Sequence, residues 1–310
     1  MNRSDVDLSV NIGRMTLKNP VMPSAGTFGY GEEFANFLNL EDLGAIVVNR
    51  ISYNPKMGNF PDRTLEIAGS GFLVTIGQQN PGIEKFIKEK LPYLRQFSTP
   101  VVVNIAGETV EQYAQMAEML SRDVGVSALE INMACPNLKA GGMSFAADPD
   151  AAFNIVREVR NATDLSITAK LVPTVVDVAV LAKACEEAGA DGICPVHAPI
   201  GMAIDIRTKR SRLGRNLTGA LQSPSHKPVT IRMVWQAAQA VDIPVIGCGG
   251  VTCAEDAIEF FIAGATAVQI GTYNVIDPRV TIKTIEGIRQ YLIDNGHKSV
   301  KELIGTFSPP

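Results

Sequence analysis

Short β-branched runs alternate with amphipathic stretches along the chain, and this alternation constrains the fold more than any other feature. Apolar residues at three- and four-residue spacing predict helices between the runs, for example in EEFANFLNL, VEQYAQMAEML and AEDAIEFFIAG. Eight strand–helix repeats without a break favour a closed (β/α)8 TIM barrel over a doubly wound sheet. The predicted strands are Pro20–Ala25, Ala45–Asn49, Val101–Ile105, Leu129–Met133, Ile167–Leu171, Gly192–His197, Val245–Gly249 and Ala267–Gly271.

The length of the chain fits one such barrel. A (β/α)8 domain typically has about 250 residues plus insertions, and this chain has 310, of which 46% are hydrophobic. The Gly- and Pro-rich parts fall within predicted loops and do not form a linker. We therefore expect a single α/β domain across residues 1–310.

Charge and cysteine usage exclude several classes of function. A net charge of −4 provides no basic surface for nucleic acid. The opening MNRSDVDLSV lacks the apolar core of a secretory signal, and no window reaches about 18 apolar residues, so we expect a cytoplasmic protein that does not bind membranes. The five cysteines form no CxxC pair, which indicates free thiols and no metal or iron–sulfur cluster on this chain.

Three long loops identify the face of the barrel that carries function. They cover residues 52–80, 136–147 and 198–227, after the second, fourth and sixth predicted strands. Each begins at the carboxyl end of a strand, which is the catalytic face of this architecture. We expect long loops around a site at that face.

Two glycine-rich elements close the barrel at the ends of the last two predicted strands: Gly247-Cys248-Gly249-Gly250 at the seventh and Gly271-Thr272 at the eighth. In TIM barrels these loops commonly bind a phosphate, because glycine lets backbone amides approach the ligand. The alternative is that the glycines only end the strands. Their joint position favours a phosphorylated ligand.

Asn104, Asn132 and Lys170 lie at or near the carboxyl ends of three predicted strands. A lysine that ends an apolar strand is costly unless it is paired, which favours a functional role for Lys170. If the phosphorylated ligand is a flavin, a cation near the N1/C2 edge of its ring would stabilise the anionic reduced form. Lys170 is thus the candidate group that tunes a flavin.

Motifs along nearly the whole chain resemble the dihydroorotate dehydrogenases, most closely class 1B. They include NPVMPSAGTFGYGEEF, SGFLVTIGQQNPG, LEINMACPNLKAGG, AKLVPTVVDV, IPVIGCGGV and GATAVQIGT. The resemblance implies an FMN enzyme of pyrimidine metabolism that moves a hydride from C6 of dihydroorotate to flavin N5. It also implies a homodimer and a partner subunit that carries FAD and an iron–sulfur cluster and connects FMN to NAD.

The resemblance assigns roles to residues of this chain. Cys135 matches the base that takes the C5 proton, and with Lys170 it completes the predicted catalytic pair; the alternative is an inert buried thiol. The predicted FMN site contains Ala25, Gly26, Asn49, Arg50, Asn104, Asn132, Lys170, Gly219, Gly249, Gly250, Gly271 and Thr272. The predicted substrate site contains Asn132, Asn137, Val74, Gly77, His197, Ala198 and Arg50.

The substrate site departs from the family pattern at several of these positions. Asn49 stands where the family has a lysine, Val74 replaces an asparagine, and His197 and Ala198 replace an asparagine and a threonine. Losing two amide partners and a cation would cost about 3–6 kcal/mol in binding orotate. Arg50 then becomes a candidate anion clamp, unless it forms an outward salt bridge, and His197 a candidate titratable contact, unless it is structural.

Three functions remain open from the sequence. The first is an FMN oxidoreductase of this family that acts on an unsaturated or dihydro compound other than dihydroorotate. The second is a true dihydroorotate dehydrogenase with an altered pocket. The third is a flavin-binding subunit without turnover, against which the joint presence of Cys135, Lys170, Asn132 and Asn137 argues.

Overall fold

A computed structural model describes residues 6–68, 71–134, 136–137, 143–144, 148–172, 177–195 and 198–309 of the chain. In chain order its strands are β1 (Val10–Ile12), β2 (Met15–Leu17), β3 (Val21–Pro23), β4 (Ile46–Ser52), β5 (Thr64–Ile67), β6 (Gly71–Val74), β7 (Val101–Ala106), β8 (Ala128–Asn132), β9 (Pro136–Asn137), β10 (Met143–Ser144), β11 (Ser166–Lys170), β12 (Gly192–Cys194), β13 (Ile200–Gly201), β14 (Ile204–Asp205), β15 (Arg210–Ser211), β16 (Gly219–Gln222), β17 (Val245–Cys248) and β18 (Ala265–Ile270).

The helices lie between these strands. They are α1 (Ile83–Lys85), α2 (Leu91–Leu94), α3 (Val110–Ser121), α4 (Pro149–Ala162), α5 (Val178–Glu187), α6 (Lys227–Ala238), α7 (Ala254–Ile262), α8 (Tyr273–Ile276) and α9 (Val280–Asp294). A π-helical turn, Phe86–Lys90, joins α1 to α2, and 3-10 turns cover Leu40–Asp42, Pro224–His226 and Val300–Leu303. Over the described residues, no helix has the length and apolar character that crossing a membrane requires.

Eight of the strands pair in parallel, in the order β3–β18–β17–β12–β11–β8–β7–β4. The two ends of this order lie side by side, since the backbone N–H of Gly44, just before β4, donates to the carbonyl of Val21 on β3 at 3.0 Å. The helices pack on the outside of the sheet, as α3 does on β7 and α4 on β11. The structure confirms the predicted (β/α)8 barrel.

The strand register brings polar residues of the barrel interior into one layer. Lys170 on β11 pairs with Asn132 of β8 on one side and with Cys194 of β12 on the other. Glu130 lies two residues before Asn132, so the two side chains face the same side of β8. All four residues are buried.

The hairpin β1–β2 covers the amino-terminal end of the barrel. Val10 and Ile12 are buried, and the backbone N–H of Arg14, in the turn, donates to Ser166 Oγ at the start of β11 at 2.9 Å. A Cβ built on Gly192, the first residue of β12, would lie 3.0 Å from Ile12 Cγ2. The barrel is therefore closed by apolar packing at the end opposite to the predicted site.

Two of the predicted long loops fold into one antiparallel sheet, which we call the loop sheet (β5, β6, β13 and β16). Its strand order is β13–β16–β6–β5, and Val74 of β6 lies between Thr64 of β5 and Ala220 of β16. The strands come from residues 52–80 and 198–227, which follow β4 and β12. The loop sheet therefore connects two separate parts of the barrel's carboxyl face.

The helix predicted for EEFANFLNL at residues 32–40 is replaced by consecutive turns. Gly31 has a φ of 91°, and the Phe34 N–H donates to the carbonyl of Gly31 at 3.1 Å. The ring of Phe34 stacks on that of Phe28 at 4.2 Å. Aromatic packing thus overrides the helical spacing of the apolar residues.

Strand β12 ends at Cys194, three residues before the predicted end at His197. The next residue is Pro195, which has no N–H to donate to a neighbouring strand. Proline therefore ends the ladder, although the apolar run continues in the sequence.

Candidate active site

A cavity that is partly open to solvent lies at the carboxyl ends of the barrel strands. Seven of the predicted site residues line the cavity: Ala25, Lys170, Ala198, Gly249, Gly250, Gly271 and Thr272. The structure therefore brings residues from five separate predicted strand ends to one site.

Gly249, Gly250 and Gly271 form one wall of the cavity, which we call the glycine wall, and they keep it free of side chains. Gly249 and Gly250 have φ values of 107° and 81°, which disfavour other residues. A Cβ on Gly250 would lie 2.6 Å from Lys227 Cβ, whereas a Cβ on Gly271 would meet only Ser24 Cβ, at 3.8 Å. A side chain at Gly271 would therefore enter open space in the cavity, where a ligand would otherwise lie.

Lys170 lies at the floor of the cavity and is only 3% exposed. Its Nζ is 2.7 Å from Gln269 Oε1, 3.2 Å from Glu130 Oε1 and 3.3 Å from Ser24 Oγ. Burial opposes its charge, but the nearby Glu130 carboxylate and the Cys248 and Cys194 thiols raise the pKa of Lys170 well above its ordinary value. Lys170 is therefore a fixed cation.

Glu130 connects Lys170 to the predicted asparagines. Asn104 Nδ2 donates to Glu130 Oε1 at 2.6 Å, and Asn132 Nδ2 donates to Asn104 Oδ1 at 3.3 Å. On its other side, Glu130 Oε2 accepts from Gln269 Nε2 at 2.5 Å. Asn104, Asn132 and Lys170 thus belong to one hydrogen-bonded network inside the barrel.

Glu130 and Gln269 were not among the predicted site residues. The signal that identified Lys170, a polar side chain in an apolar strand, is also present in LEIN around Glu130 and in AVQI around Gln269. Both residues are almost completely buried, and buried polar groups are normally paired. A polar residue inside an apolar strand, and not only at its end, is therefore the sequence signal that identifies both.

Two thiols, those of Cys194 and Cys248, lie beside Lys170, and neither cysteine was among the predicted site residues. Cys248 lines the cavity, and its Sγ is 3.7 Å from Ser24 Oγ. A hydrogen bond from Cys194 and the charge of Lys170 lower the pKa of Cys248 to about 6, against the effect of burial. The same hydrogen bond, together with burial, raises the pKa of Cys194 well above its ordinary value. The hydrogen bond therefore favours the thiolate form of Cys248 over that of Cys194.

Asn49 and Arg50 lie on β4, where the register with β7 shifts between Val48 and Ile51. Asn49 Oδ1 accepts from the backbone N–H of Arg50 at 2.9 Å. Arg50 Nε is buried and has no hydrogen-bond partner among the described residues. Neither residue lines the cavity, and the unpaired guanidinium nitrogen is suited to an anionic ligand.

The other predicted residues lie away from the cavity wall or outside the described part of the chain. Gly26 does not line the cavity; Val74 and Gly219 are strand residues of the loop sheet, and Gly77 follows it. For Asn137, the structure describes only the backbone, which is part of β9. Cys135 and His197 lie outside the described residues.

The arrangement suits redox chemistry on an organic cofactor. Among the described residues, no group of three or more His, Cys, Asp or Glu side chains could hold a metal ion. The cavity instead combines a glycine wall suited to a phosphate with a fixed cation suited to negative charge on a ring.

Comparison with known proteins agrees with this geometry. Residues 7–292 match the family model described as dihydroorotate dehydrogenase. A relative from Geotalea uraniireducens, named dihydroorotate dehydrogenase B (NAD(+)), catalytic subunit, is 50% identical over 299 residues, which cover 96% of this chain and 97% of the relative. A relative of the same name from Thermoanaerobacter pseudethanolicus is 48% identical over 301 residues, with 97% and 99% covered.

Proposed function

Because the chain belongs to the dihydroorotate dehydrogenase family and is an oxidoreductase acting on CH–CH bonds, we propose that its cofactor is FMN. The observation that carries the proposal is the cavity, with glycines on one wall and Lys170 at its floor. Gly249, Gly250, Gly271 and Thr272 would hold the phosphate, and Lys170 would face the N1/C2 edge of the ring. Bound FMN supplies reversible hydride acceptance at N5.

The residues of the chain have separate roles in this proposal. Lys170 stabilises negative charge on the cofactor, and Glu130 holds Lys170 in place. Cys135 takes or returns the substrate proton, and Asn132 and Asn137 bind the amide edge of the substrate. The relatives are named as catalytic subunits, which supports turnover over a role limited to binding flavin.

We place dihydroorotate first among the candidate substrates, because the relatives named for it are about half identical to this chain. The unpaired Nε of Arg50 supports a substrate that carries an acidic group. A second candidate is another unsaturated or dihydro compound with an acidic group. It is favoured by Val74, His197 and Ala198, which replace the polar residues of the family pattern.

We also propose that a partner subunit with FAD and an iron–sulfur cluster passes electrons between FMN and NAD. The names of the relatives, with NAD(+) and a catalytic subunit, support this. A homodimer is part of the same proposal. Exposed apolar side chains beside the loop sheet support an interface there: Ile200, Met202, Ile204, Ile206 and Leu217.

The test is an anaerobic titration of the purified protein. We expect it to contain flavin that mass spectrometry identifies as FMN, and we expect the visible flavin absorbance to bleach when dihydroorotate is added. FMN that remains oxidised would direct the search to the second class of substrate. A protein that binds no flavin would contradict the proposal.

A further inference from the structure

We infer that His226 is a phosphate-binding residue of the cofactor site and makes FMN binding depend on pH. The inference rests on the proposed function, since it concerns how this chain would hold FMN. It adds an ionisable side chain to the phosphate site proposed for Gly249, Gly250, Gly271 and Thr272. It arises from the position of His226, its unpaired ring nitrogen and the pairing of the neighbouring cations.

His226 lies beside the glycine wall. It is the last residue of the 3-10 turn before α6, and it lines the cavity with Gly249, Gly250 and Thr272. A Cβ built on Gly249 would lie 2.9 Å from His226 Nε2 and 3.2 Å from its Cδ2. The ring therefore takes the space next to Gly249, where a phosphate on the glycine wall would be within its reach.

One nitrogen of this ring lacks a partner. His226 Nδ1 is buried and makes no hydrogen bond with any described residue. Leaving a buried polar atom unsatisfied is costly, so such atoms normally have a partner from the protein, a water molecule or a ligand. An anion on the glycine wall would give the imidazole a partner for its charged form.

The lysines near His226 already have carboxylate partners, so His226 is the residue suited to bind the phosphate. Lys227 is next in the chain, but its Nζ is 2.5 Å from Asp256 Oδ1 and also binds Glu259. Lys170, across the cavity, is paired with Glu130. The Cys248 thiol, at the end of β17, adds negative charge when it ionises. The described cations nearest the glycine wall are thus already paired with carboxylates.

The titratable groups around His226 determine the direction of the pH effect. They are Lys227 on α6, Cys248 on β17, Asp256 on α7, Tyr273 on α8 and Lys170 on β11. Burial lowers the pKa of His226, so the ring is neutral at neutral pH before ligand binds. A phosphate beside it favours the charged form, so binding takes up a proton and FMN affinity rises as the pH falls.

The test compares FMN with riboflavin, which has the same ring and no phosphate. Apoprotein is titrated with each ligand, and quenching of flavin fluorescence gives the Kd for wild type, His226→Gln and His297→Gln. We expect His226→Gln to weaken FMN binding by about tenfold or more and to change riboflavin binding by less than about twofold. His297, a partly exposed residue paired with Glu302, is the matched control, and His297→Gln should have no effect.

The pH series provides a second readout. From pH of about 8 to about 6.5, wild-type affinity for FMN should rise, while that of His226→Gln should stay nearly constant. The series stops above the second pKa of the phosphate, which is about 6. Riboflavin binding should be insensitive to pH over this range in both proteins.

The outcomes separate this inference from the proposed function. If wild type binds FMN and His226→Gln loses affinity for both flavins equally, His226 is a wall residue and the inference is wrong. Unchanged FMN affinity in His226→Gln also overturns it and leaves the proposed cofactor intact. If wild type binds neither flavin, the proposed function fails and the inference fails with it.

Discussion

Lys170 Nζ lies 3.2 Å from Glu130 Oε1 inside the barrel, and the two side chains are 4% and 0% exposed. In an ion pair that is this deeply buried, the stability of the fold depends on both partners being present, because removing one leaves the other as an uncompensated charge. Asn104 and Gln269 also donate to Glu130. The carboxylate therefore holds together the network under the cavity.

Glu130→Gln should lower the free energy of unfolding by about 3–5 kcal/mol, because it leaves the buried Lys170 charged and without its carboxylate partner. Urea denaturation of the apoprotein measures this. Glu118→Gln is the matched control, since Glu118 pairs with Arg122 on the surface and should cost less than about 1 kcal/mol. Equal losses in the two variants would contradict the role of the buried pair.

Gly271→Ala should weaken FMN binding by about fivefold to a hundredfold, because the added methyl group enters the cavity. Its unfolding free energy should change by less than about 0.5 kcal/mol, since the Cβ meets no close atom. Gly250→Ala should instead lose about 1 kcal/mol or more of stability, because its φ is 81°. Fluorescence titration and urea denaturation distinguish the two effects. A stable Gly271→Ala with wild-type affinity would place the ligand elsewhere.

Cys248 should be the described cysteine that iodoacetamide alkylates fastest in apoprotein at neutral pH. Its pKa is lowered to about 6, whereas burial raises the pKa of Cys185 to about 12 and raises that of Cys253. The rate should increase with pH through about 6 and then level off, because the thiolate is the reactive form. Peptide mass spectrometry in a Cys135→Ser background measures it.

Bound FMN should protect Cys248 from this alkylation, because the thiol lines the proposed cofactor cavity. Cys253 is exposed and serves as the internal control, since its modification should not depend on FMN. Faster labelling of Cys253 than of Cys248 would contradict the lowered pKa of Cys248.

Cys135→Ser should leave FMN bound and slow its reduction by about a hundredfold or more at neutral pH, because a hydroxyl is a far weaker base than a thiolate. Anaerobic stopped-flow absorbance with dihydroorotate measures the reduction. In the control variant Cys253→Ser, FMN should be reduced at the wild-type rate. Normal reduction in Cys135→Ser would remove Cys135 from the mechanism.

Arg50→Ala should raise KM for an acidic substrate by about tenfold or more and change kcat less, because it would remove the proposed contact with the acidic group, which would be present throughout the reaction. Steady-state kinetics with dihydroorotate measures both constants. Arg14→Ala, at the exposed turn of the β1–β2 hairpin, is the control. An unchanged KM in Arg50→Ala would mean that Arg50 has a structural role and does not bind the substrate.

The barrel could be predicted because each parallel strand is buried on both faces and therefore appears in the sequence as an apolar run. Lys170 could be predicted because a cation at the end of such a run is costly to bury unless a partner or a ligand compensates its charge. The hydrogen bond between Cys194 and Cys248 could not be predicted, since it depends on how two strands from distant parts of the chain are aligned. The turns after Gly31 were missed because the ring of Phe34 packs on Phe28, which spacing alone does not reveal.

The loop sheet has a consequence for how enzymes of this kind diverge. Backbone hydrogen bonds join its two insertions, and Phe72 of one pairs with Gln222 of the other at the cavity wall. Side chains on these strands could therefore be exchanged while the backbone pairing persists. Because the pairing joins the two insertions, a change of substrate in a related chain is expected as coordinated substitutions in Gly71–Val74 and Gly219–Gln222.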